Sequence, residues 1–359
     1  MVEDIGAVRP SQELDWQALS RYLNDHLPRA KGFVRRFGST ALPEMRVAQF
    51  PGGYSNLTYL IRFGAVELVL RRPPFGPIPA HAHDIAREYR WLAALNPVFP
   101  LTPEPFLLCE DADVIGSVFY VMERRDGTVV RGDEPEALRN QPALRRRVGE
   151  TLVDTLARLH RVDASCPPIA GLGRPAGFVA RQVKGWAARW AQAQTSAVPE
   201  MDALAAWLGA HVPDEGAAAV VHGDFKLDNV VLDRHDLSRV VAVLDWEMCA
   251  LGDPLVDLGM LLVYWVHTLA ASDNPDSWAT VTGRPGWLGR NAILDRYAAS
   301  TRRSLEGIGF YERLALFKLA VILQQLHARY RRGQSDDERF AALGERMLAL
   351  VRYAAGLTD

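Results

Sequence analysis

Along the first third of the chain, short apolar runs separated by turn residues form a pattern typical of a small β-sheet. Leu57 to Phe63 and Val66 to Arg72 are rich in β-branched and aromatic residues, and Gly64-Ala65 between them predicts a hairpin turn. Residues 83–95 then place apolar side chains at helical spacing, and the apolar run Val118 to Met122 predicts another strand. The pattern therefore predicts a mostly antiparallel sheet accompanied by a helix.

Helical periodicity dominates the remainder of the chain. It is strongest in Ala143 to Arg161 and in Phe310 to Tyr330, and a β-rich island at residues 218–244 interrupts it. Residues 11–27 predict a further helix near the N-terminus, with Ser11 available as its N-cap. A sheet-rich part followed by a helix-rich part predicts an α+β fold.

The boundary between the two parts is predicted just after Glu123. There the apolar run gives way to Arg124-Arg125-Asp126-Gly127, a polar segment typical of a connection. We therefore expect an N-terminal lobe of residues 1–123 and a C-terminal lobe of residues 124–359.

Composition excludes several classes of function. The chain has 359 residues, 48% of them hydrophobic, and its formal charge of −2 provides no overall field for nucleic acid or a membrane surface. Three widely spaced cysteines favour reduced thiols over a disulfide framework or a zinc site. The N-terminus has no apolar run of the kind found in signal peptides, so we expect a cytoplasmic protein.

The chemically richest part of the sequence is the β-rich island. Its apolar runs Val230 to Leu232 and Val240 to Leu244 flank a polar turn and predict an antiparallel hairpin, which brings the residues at its open end together. Those residues are Asn229 and Asp245, and neighbouring strands lie about 5 Å apart, so both side chains can reach one Mg²⁺ ion that also holds substrate phosphates. Asp224 enters the same hairpin and supplies a carboxylate that can accept a hydroxyl proton.

A lone His-Gly-Asp would be read as ordinary turn residues, because Asp, Asn and Gly are common in loops. Here Asn229 follows Asp224 by five residues, strands flank the motif, and Asp245 follows the second strand. This combination predicts phosphoryl transfer to a hydroxyl group.

The run His222-Gly-Asp-Phe-Lys-Leu-Asp-Asn229, followed by Asp245-Trp-Glu247, resembles the catalytic loop and metal-binding segment of the aminoglycoside phosphotransferase-like family, relatives of choline kinases and protein kinases. Phe50 to Tyr59, Val69 to Pro74 and Leu251 to Pro254 are similar in particular to the kinase-like domains associated with acyl-CoA dehydrogenases. The resemblance implies a two-lobed, protein-kinase-like α+β fold. Its N-terminal lobe would bind nucleotide, and its mostly helical C-terminal lobe would carry catalysis and substrate binding.

The resemblance also implies roles for individual residues and implies ATP and Mg²⁺ as cofactors. Asp224 corresponds to the catalytic base and Lys226 to the lysine that contacts the γ-phosphate. Asn229 and Asp245 correspond to the metal ligands. The residues implied to bind the nucleotide are Gly52, Gly53, Ser55, Asn56, Arg71, Glu88 and Glu123.

Each part of the nucleotide site has a physical reason. The Gly52-Gly53 turn lets backbone amides approach phosphate oxygens closely. Arg71 and Glu88 would form the ion pair that braces a phosphate-binding cation, although the family usually has lysine there and Arg72 is an alternative. Glu123 would end the inter-lobe hinge, where backbone groups bind adenine.

The acceptor is predicted from charge. Residues 271–359 carry ten acidic and thirteen basic side chains, and the helix Arg181 to Trp190 is basic and rich in tryptophan. This balance favours an anionic acceptor over a polycationic aminoglycoside, although solvated charge around core tryptophans explains the helix equally well. The resemblance implies a hydroxyacyl-CoA or hydroxy acid and a functional link to an acyl-CoA dehydrogenase.

Two alternatives to this predicted function stay open. One is an antibiotic-modifying phosphotransferase, and the other is a nucleotide-binding pseudokinase or regulatory module. A pseudokinase would be expected to lack Asp224 or one of the metal ligands, whereas Asp224, Asn229 and Asp245 are all present.

Overall fold

The computed structural model describes residues 5–39, 41–50, 56–76, 84–267, 281–335 and 337–357. The chain forms two compact units. The first consists of residues 1–129 and 230–249, and the second of residues 130–229 and 250–359. The hairpin that follows Asn229 therefore belongs to the same unit as the N-terminal sheet.

The described strands form one five-stranded sheet and two small two-stranded sheets. The large sheet has the strand order β1-β2-β3-β5-β4, and all of its pairs are antiparallel. The strands are β1 (Met45–Gln49), β2 (Leu57–Phe63), β3 (Val66–Arg72), β4 (Pro105–Cys109), β5 (Phe119–Glu123), β6 (Ala219–Val221), β7 (Val230–Leu232), β8 (Val240–Val243) and β9 (Ala250–Gly252).

The described α-helices are distributed between the two units, three in the first and the others in the second. They are α1 (Trp16–His26), α2 (Lys31–Phe37), α3 (Ile85–Leu95), α4 (Pro142–Leu159), α5 (Pro167–Ala170), α6 (Phe178–Ala193), α7 (Pro199–Ala210), α8 (Leu255–Leu262), α9 (Arg290–Thr301), α10 (Ile308–Arg331) and α11 (Leu343–Gly356).

The strands of the first unit lie where the sequence has its β-rich runs. The predicted hairpin of β2 and β3 is present, with Phe63 paired to Val66 across the turn at Gly64-Ala65. A core of Leu, Phe and Tyr side chains from α1, α2 and the sheet covers one face of the strands. The predicted N-cap of α1 is wrong: Asp15 holds that place and accepts hydrogen bonds from the backbone N–H groups of Gln17 and Ala18. An N-cap side chain must precede its helix directly, and Ser11 lies within the short 3₁₀ turn Pro10–Gln12 instead.

The predicted hairpin of β7 and β8 is also present, and Val230 pairs with Val243. The backbone N–H of Thr128 donates to the carbonyl of Leu232 at 2.8 Å and so fixes the hairpin within the first unit. This approach needs glycine at position 127, because a Cβ there would lie 2.3 Å from the Leu232 carbonyl oxygen.

The second unit is mostly helical, as the periodicity predicts. Its long helix α10 is buried along most of its length and packs against α6, α8 and α11. Strand β6, which pairs antiparallel with β9, directly precedes the chemically important segment, residues 222–229, which we call the 222–229 loop. Every helix in the described ranges is too short or too polar to cross a lipid bilayer.

Candidate active site

The 222–229 loop holds three of the predicted site residues in direct contact. Asp224 accepts hydrogen bonds at Oδ2 from Lys226 Nζ at 2.8 Å and from Asn229 Nδ2 at 3.1 Å. Its other oxygen, Oδ1, accepts no hydrogen bond from the described part of the chain, and the side chain is 18% exposed. One oxygen of Asp224 is therefore fixed by the loop, and the other is available to a ligand.

The amide of Asn229 is oriented by the same contacts. Its Nδ2 atom donates to the backbone carbonyl of Asp224 at 2.9 Å as well as to the carboxylate. Both N–H bonds of the amide are used in this way, and its oxygen is left without a donor among the described residues. An amide oxygen in this state is suited to bind a hard cation.

The backbone of the loop is held by Asp257, on the first turn of α8. The Asp257 carboxylate accepts hydrogen bonds from the N–H groups of His222 at 2.6 Å and Gly223 at 2.7 Å. Gly223 has a φ of +84°, which favours glycine. Burial raises the pKa of Asp257, but hydrogen bonds from His160 and the loop outweigh it, so this pKa lies below its usual value. We therefore infer that Asp257 is ionised and orders the loop.

His160 completes this buried network. Its Nε2 lies 3.2 Å from Asp257 and its Nδ1 lies 2.7 Å from the hydroxyl of Tyr297. Burial lowers the pKa of His160, so the ring is neutral. A neutral ring donates from Nε2 to Asp257 and accepts at Nδ1 from Tyr297, which satisfies all three groups.

Sequence reasoning missed Lys318, on α10. This lysine is 5% exposed, and its Nζ donates to the carbonyl oxygen of Gly223, the residue before Asp224. The signal was a lysine at an apolar position of the strongly periodic segment Phe310 to Tyr330, between Phe317 and Leu319. A buried lysine in such a place is costly without a polar partner, and therefore indicates a functional or positioning role.

Replacement of Asp257 by asparagine tests how the loop is held. The substitution places an NH₂ group against one of the two loop N–H groups, so one buried donor loses its acceptor. We expect the free energy of unfolding to fall by about 2–4 kcal/mol, as measured by urea denaturation. An unchanged free energy would show that these hydrogen bonds do not order the loop. Asp202→Asn, which alters a carboxylate bonded to Trp190 on the same unit, is the control.

A second group of predicted residues meets in the first unit, around Arg71. Its Nη1 lies 2.7 Å from Glu88 Oε1 and its Nη2 lies 2.8 Å from Asp245 Oδ1. Arg72 does not share this environment: it donates to the carbonyl of Ile115 and stacks on Phe75 at 4.1 Å. Successive side chains on a strand point to opposite faces, so only Arg71 faces these carboxylates.

Negative charge exceeds positive charge in this carboxylate cluster, which consists of Arg71, Glu88, Asp245 and Glu247. Glu247 lies 3.7 Å from the Arg71 guanidinium, so three carboxylates surround one cation. Burial raises the pKa of Glu88 to about 7, Arg71 opposes the rise, and the charges of Asp245 and Glu247 add to it. Such an excess of negative charge would be relieved by a divalent cation.

Asp245 has an unusual backbone. Its φ of 68° and ψ of 63° lie in the left-handed region, which residues other than glycine seldom adopt. Strain of this kind persists only where the surroundings impose it, and it concentrates at functional sites. The left-handed backbone of Asp245 is therefore an argument that this residue has a functional role.

The cluster can be tested for its fit to Mg²⁺ and a nucleotide. Asn56 donates to Glu247 at 2.9 Å, and its buried Oδ1, like Nε of Arg71, has no hydrogen-bond partner among the described residues. Among all the residues that the structure describes, no three or more His, Cys, Asp and Glu side chains form a group that could hold a metal ion. Mg²⁺ bound with nucleotide usually takes only one or two carboxylates, its other ligands being phosphates and water. The open polar atoms and the carboxylate of Asp245 fit that pattern.

The remaining predicted nucleotide residues lie apart or cannot be described. Gly52, Gly53 and Ser55 lie outside the described residues. Glu123 ends β5, and its carboxylate pairs with Arg36 at 2.5 Å. Its backbone N–H already donates to the carbonyl of Glu104 at 2.8 Å, so this donor is not free for adenine.

Comparison with known structures identifies the class of the fold. A Ralstonia eutropha protein with a provisional assignment as an aminoglycoside phosphotransferase is 28% identical, with a TM-score of 0.77 over 97% of this chain and 100% of that chain. Macrolide 2′-phosphotransferase type I is similar in fold, with a TM-score of 0.58 and 18% identity over 93% of this chain and 98% of that chain. The predicted α+β fold of the protein-kinase type is confirmed.

The sequence profile of the phosphotransferase enzyme family matches residues 46–293, and the chain belongs to that family of transferases. The chain is also 35% identical over 342 residues to acyl-CoA dehydrogenase family member 11 of Rattus norvegicus. That match covers 94% of this chain and 42% of the relative, so the chain spans about two fifths of the relative's length. The predicted resemblance is confirmed.

Proposed function

We propose that the protein is an ATP- and Mg²⁺-dependent kinase that phosphorylates a hydroxyl group of a small molecule. The observation that carries this proposal is the state of Asp224. Its carboxylate is held at one oxygen by Lys226 and Asn229, and the other oxygen accepts no hydrogen bond from the residues that the structure describes. A fixed carboxylate with one open oxygen can orient an acceptor hydroxyl and take its proton.

The other residues of the 222–229 loop support this role. Mg²⁺-ATP, when bound, supplies the phosphoryl group, with Asn229 and Asp245 as the proposed protein ligands of the metal. Burial lowers the pKa of Lys226, but Tyr264 and Asp224 raise it more, so the pKa lies above its usual value and Lys226 is cationic. Lys226 therefore holds Asp224 in place through its ion pair and provides a positive charge for the γ-phosphate.

The nucleotide side of the proposal uses the carboxylate cluster. Arg71, positioned by Glu88, is proposed to bind phosphate oxygens with its planar guanidinium in place of the usual lysine. Asn56, whose Oδ1 is buried and unpaired, is proposed to bind on the same side. Gly52, Gly53, Ser55 and the carbonyl of Glu123 stay predicted contacts of the nucleotide.

For the acceptor, we propose an anionic hydroxy acid or its coenzyme A thioester. The similarity to acyl-CoA dehydrogenase family member 11 supports this class and a link to such a dehydrogenase. An aminoglycoside is the second candidate, since the Ralstonia eutropha structure carries that provisional assignment at 28% identity. A pseudokinase is disfavoured because Asp224 has both its hydrogen-bond partners.

An acceptor screen tests the proposal. The purified protein with ATP and Mg²⁺ is assayed for ADP release against hydroxybutyryl-CoA isomers, free hydroxybutyrates, choline, homoserine and kanamycin. We expect ADP release and a phosphorylated product only with an anionic acceptor, and none when EDTA removes the metal. Phosphorylation of kanamycin alone would contradict the acceptor class. Nucleotide binding without transfer to any acceptor would contradict the kinase itself.

A further inference from the structure

An exposed arginine is held in place on the surface of α6. The Arg189 side chain is exposed, and its guanidinium carbon lies 4.5 Å from the centre of the Trp186 ring. Trp186 itself is 5% exposed, so the ring is anchored in the core. The stacking restricts the arginine before any ligand arrives, and a pre-ordered arginine loses less conformational entropy on binding.

A second cation lies against the same ring. Lys318 Nζ is 5.4 Å from the centre of Trp186. The ammonium group has three N–H bonds, and the carbonyl of Gly223 is its hydrogen-bond acceptor in the described part of the chain. No ion pair of Lys318 occurs within that part. A buried lysine without a paired carboxylate holds its positive charge more readily once an anion binds beside it.

Lys318, the second of these residues, lies next to the proposed catalytic carboxylate. The carbonyl that Lys318 contacts belongs to Gly223, directly before Asp224. Burial lowers the pKa of Lys318, the charges of Asp224 and Asp257 oppose that change, and the charges of Lys226 and Arg189 add to it. An anion bound beside Arg189 and Lys318 would offset the positive charge that disfavours the ammonium form of Lys318.

We propose that Arg189 and Lys318 bind the anionic group of the acceptor, a carboxylate or a phosphate, and thereby bring its hydroxyl group to Asp224. This inference rests on the proposed function. It assigns recognition of the acceptor's negative charge to one residue on α6 and one on α10. Sequence periodicity alone does not show that these two residues lie near each other. Trp186 holds the first and contacts the second.

Lys184 provides a matched control on the same helix. It is exposed, and it lies five residues before Arg189, or about 140° around the helix axis at 100° per residue. It has no contact with Trp186 of the kind that Arg189 makes. Charge reversal at Lys184 therefore changes the net charge of α6 equally but leaves the proposed site intact.

The test measures binding without catalysis. Calorimetry without ATP compares wild type, Arg189→Glu and Lys184→Glu for binding of hydroxybutyryl-CoA isomers, free hydroxybutyrates and the uncharged hydroxybutyryl-pantetheine. We expect Arg189→Glu to weaken binding of at least one anionic acceptor roughly tenfold or more, with Lys184→Glu within about twofold of wild type. Binding of the pantetheine thioester should not change.

The acceptor that responds identifies the source of the anion. Loss of affinity for the free acid points to a carboxylate, whereas loss confined to the coenzyme A thioester points to its phosphates. Equal effects of the two charge reversals, or no binding of any anionic acceptor to wild type, would overturn the inference. Binding that responds to Arg189→Glu in a protein that transfers no phosphate would instead overturn the proposed function and leave the anion site standing.

Discussion

Replacement of Asp224 by asparagine is expected to lower kcat by about 10²- to 10⁴-fold and to leave the affinity for ATP nearly unchanged. The variant keeps the size of the side chain and an oxygen that can accept from Lys226, so the loop should stay ordered. It removes the base that we propose takes the hydroxyl proton, and this contribution would be made mainly in the transition state. Steady-state kinetics with the acceptor found in the screen, together with calorimetry for ATP, measure both effects.

Asp228 offers a matched control within the same loop. Its side chain is exposed, it makes no hydrogen bond to Asp224, and Asp228→Asn changes the net charge of the loop equally. We expect Asp228→Asn to keep most of the activity. A similar loss in both variants would mean that loop charge, and not a base at position 224, controls the rate. Wild-type turnover in Asp224→Asn would remove Asp224 from the mechanism.

Replacement of Asp245 by asparagine is expected to abolish transfer and to weaken nucleotide binding in the presence of Mg²⁺ roughly tenfold or more. Asp245 is the one carboxylate proposed to bind the metal directly. Asparagine is preferable to alanine here because the φ of 68° favours residues that tolerate the left-handed region. Calorimetry with ATP, with and without Mg²⁺, separates metal-dependent from metal-independent affinity.

Glu247→Gln controls for the charge of the carboxylate cluster. Glu247 lies 3.7 Å from Arg71, in the same cluster as Asp245, so its neutralisation has a similar long-range effect on bound metal. We expect a smaller loss of affinity than for Asp245→Asn. Equal losses would show that net charge, and not direct ligation, attracts the metal. Unchanged Mg²⁺-ATP affinity in Asp245→Asn would contradict the metal site predicted at the open end of the hairpin.

Local patterns in the sequence predict many of the strands and helices of this protein. The hairpin of β2 and β3 follows from two β-rich runs on either side of Gly64-Ala65, and α10 follows from its periodicity. Such patterns succeed because side-chain spacing and turn residues act over a few positions of the chain. The first residue of a helix is harder to predict from sequence, as Asp15 shows, because several polar residues near a helix can serve as its N-cap.

The sequence also identifies the 222–229 loop, since Asp224, Lys226 and Asn229 lie within six residues of one another and interact locally. It could not identify what holds the loop. Asp257 reaches the loop from α8, and Lys318 reaches it from α10, 95 residues along the chain from Gly223. Spacing carries no information on contacts of this length, because they depend on how helices pack.

The sequence by itself determined the hairpins β2–β3 and β7–β8, the strongly periodic helices and the family, since each depends on residues that are neighbours in the chain. Tertiary structure decided which arginine of Arg71 and Arg72 faces Glu88 and Asp245, through the pleat of β3 and its place in the sheet. It also decided that Arg189 and Lys318 share one tryptophan. Burial gives these charges their importance: a cation removed from water must find its partners among the side chains that the fold brings to it.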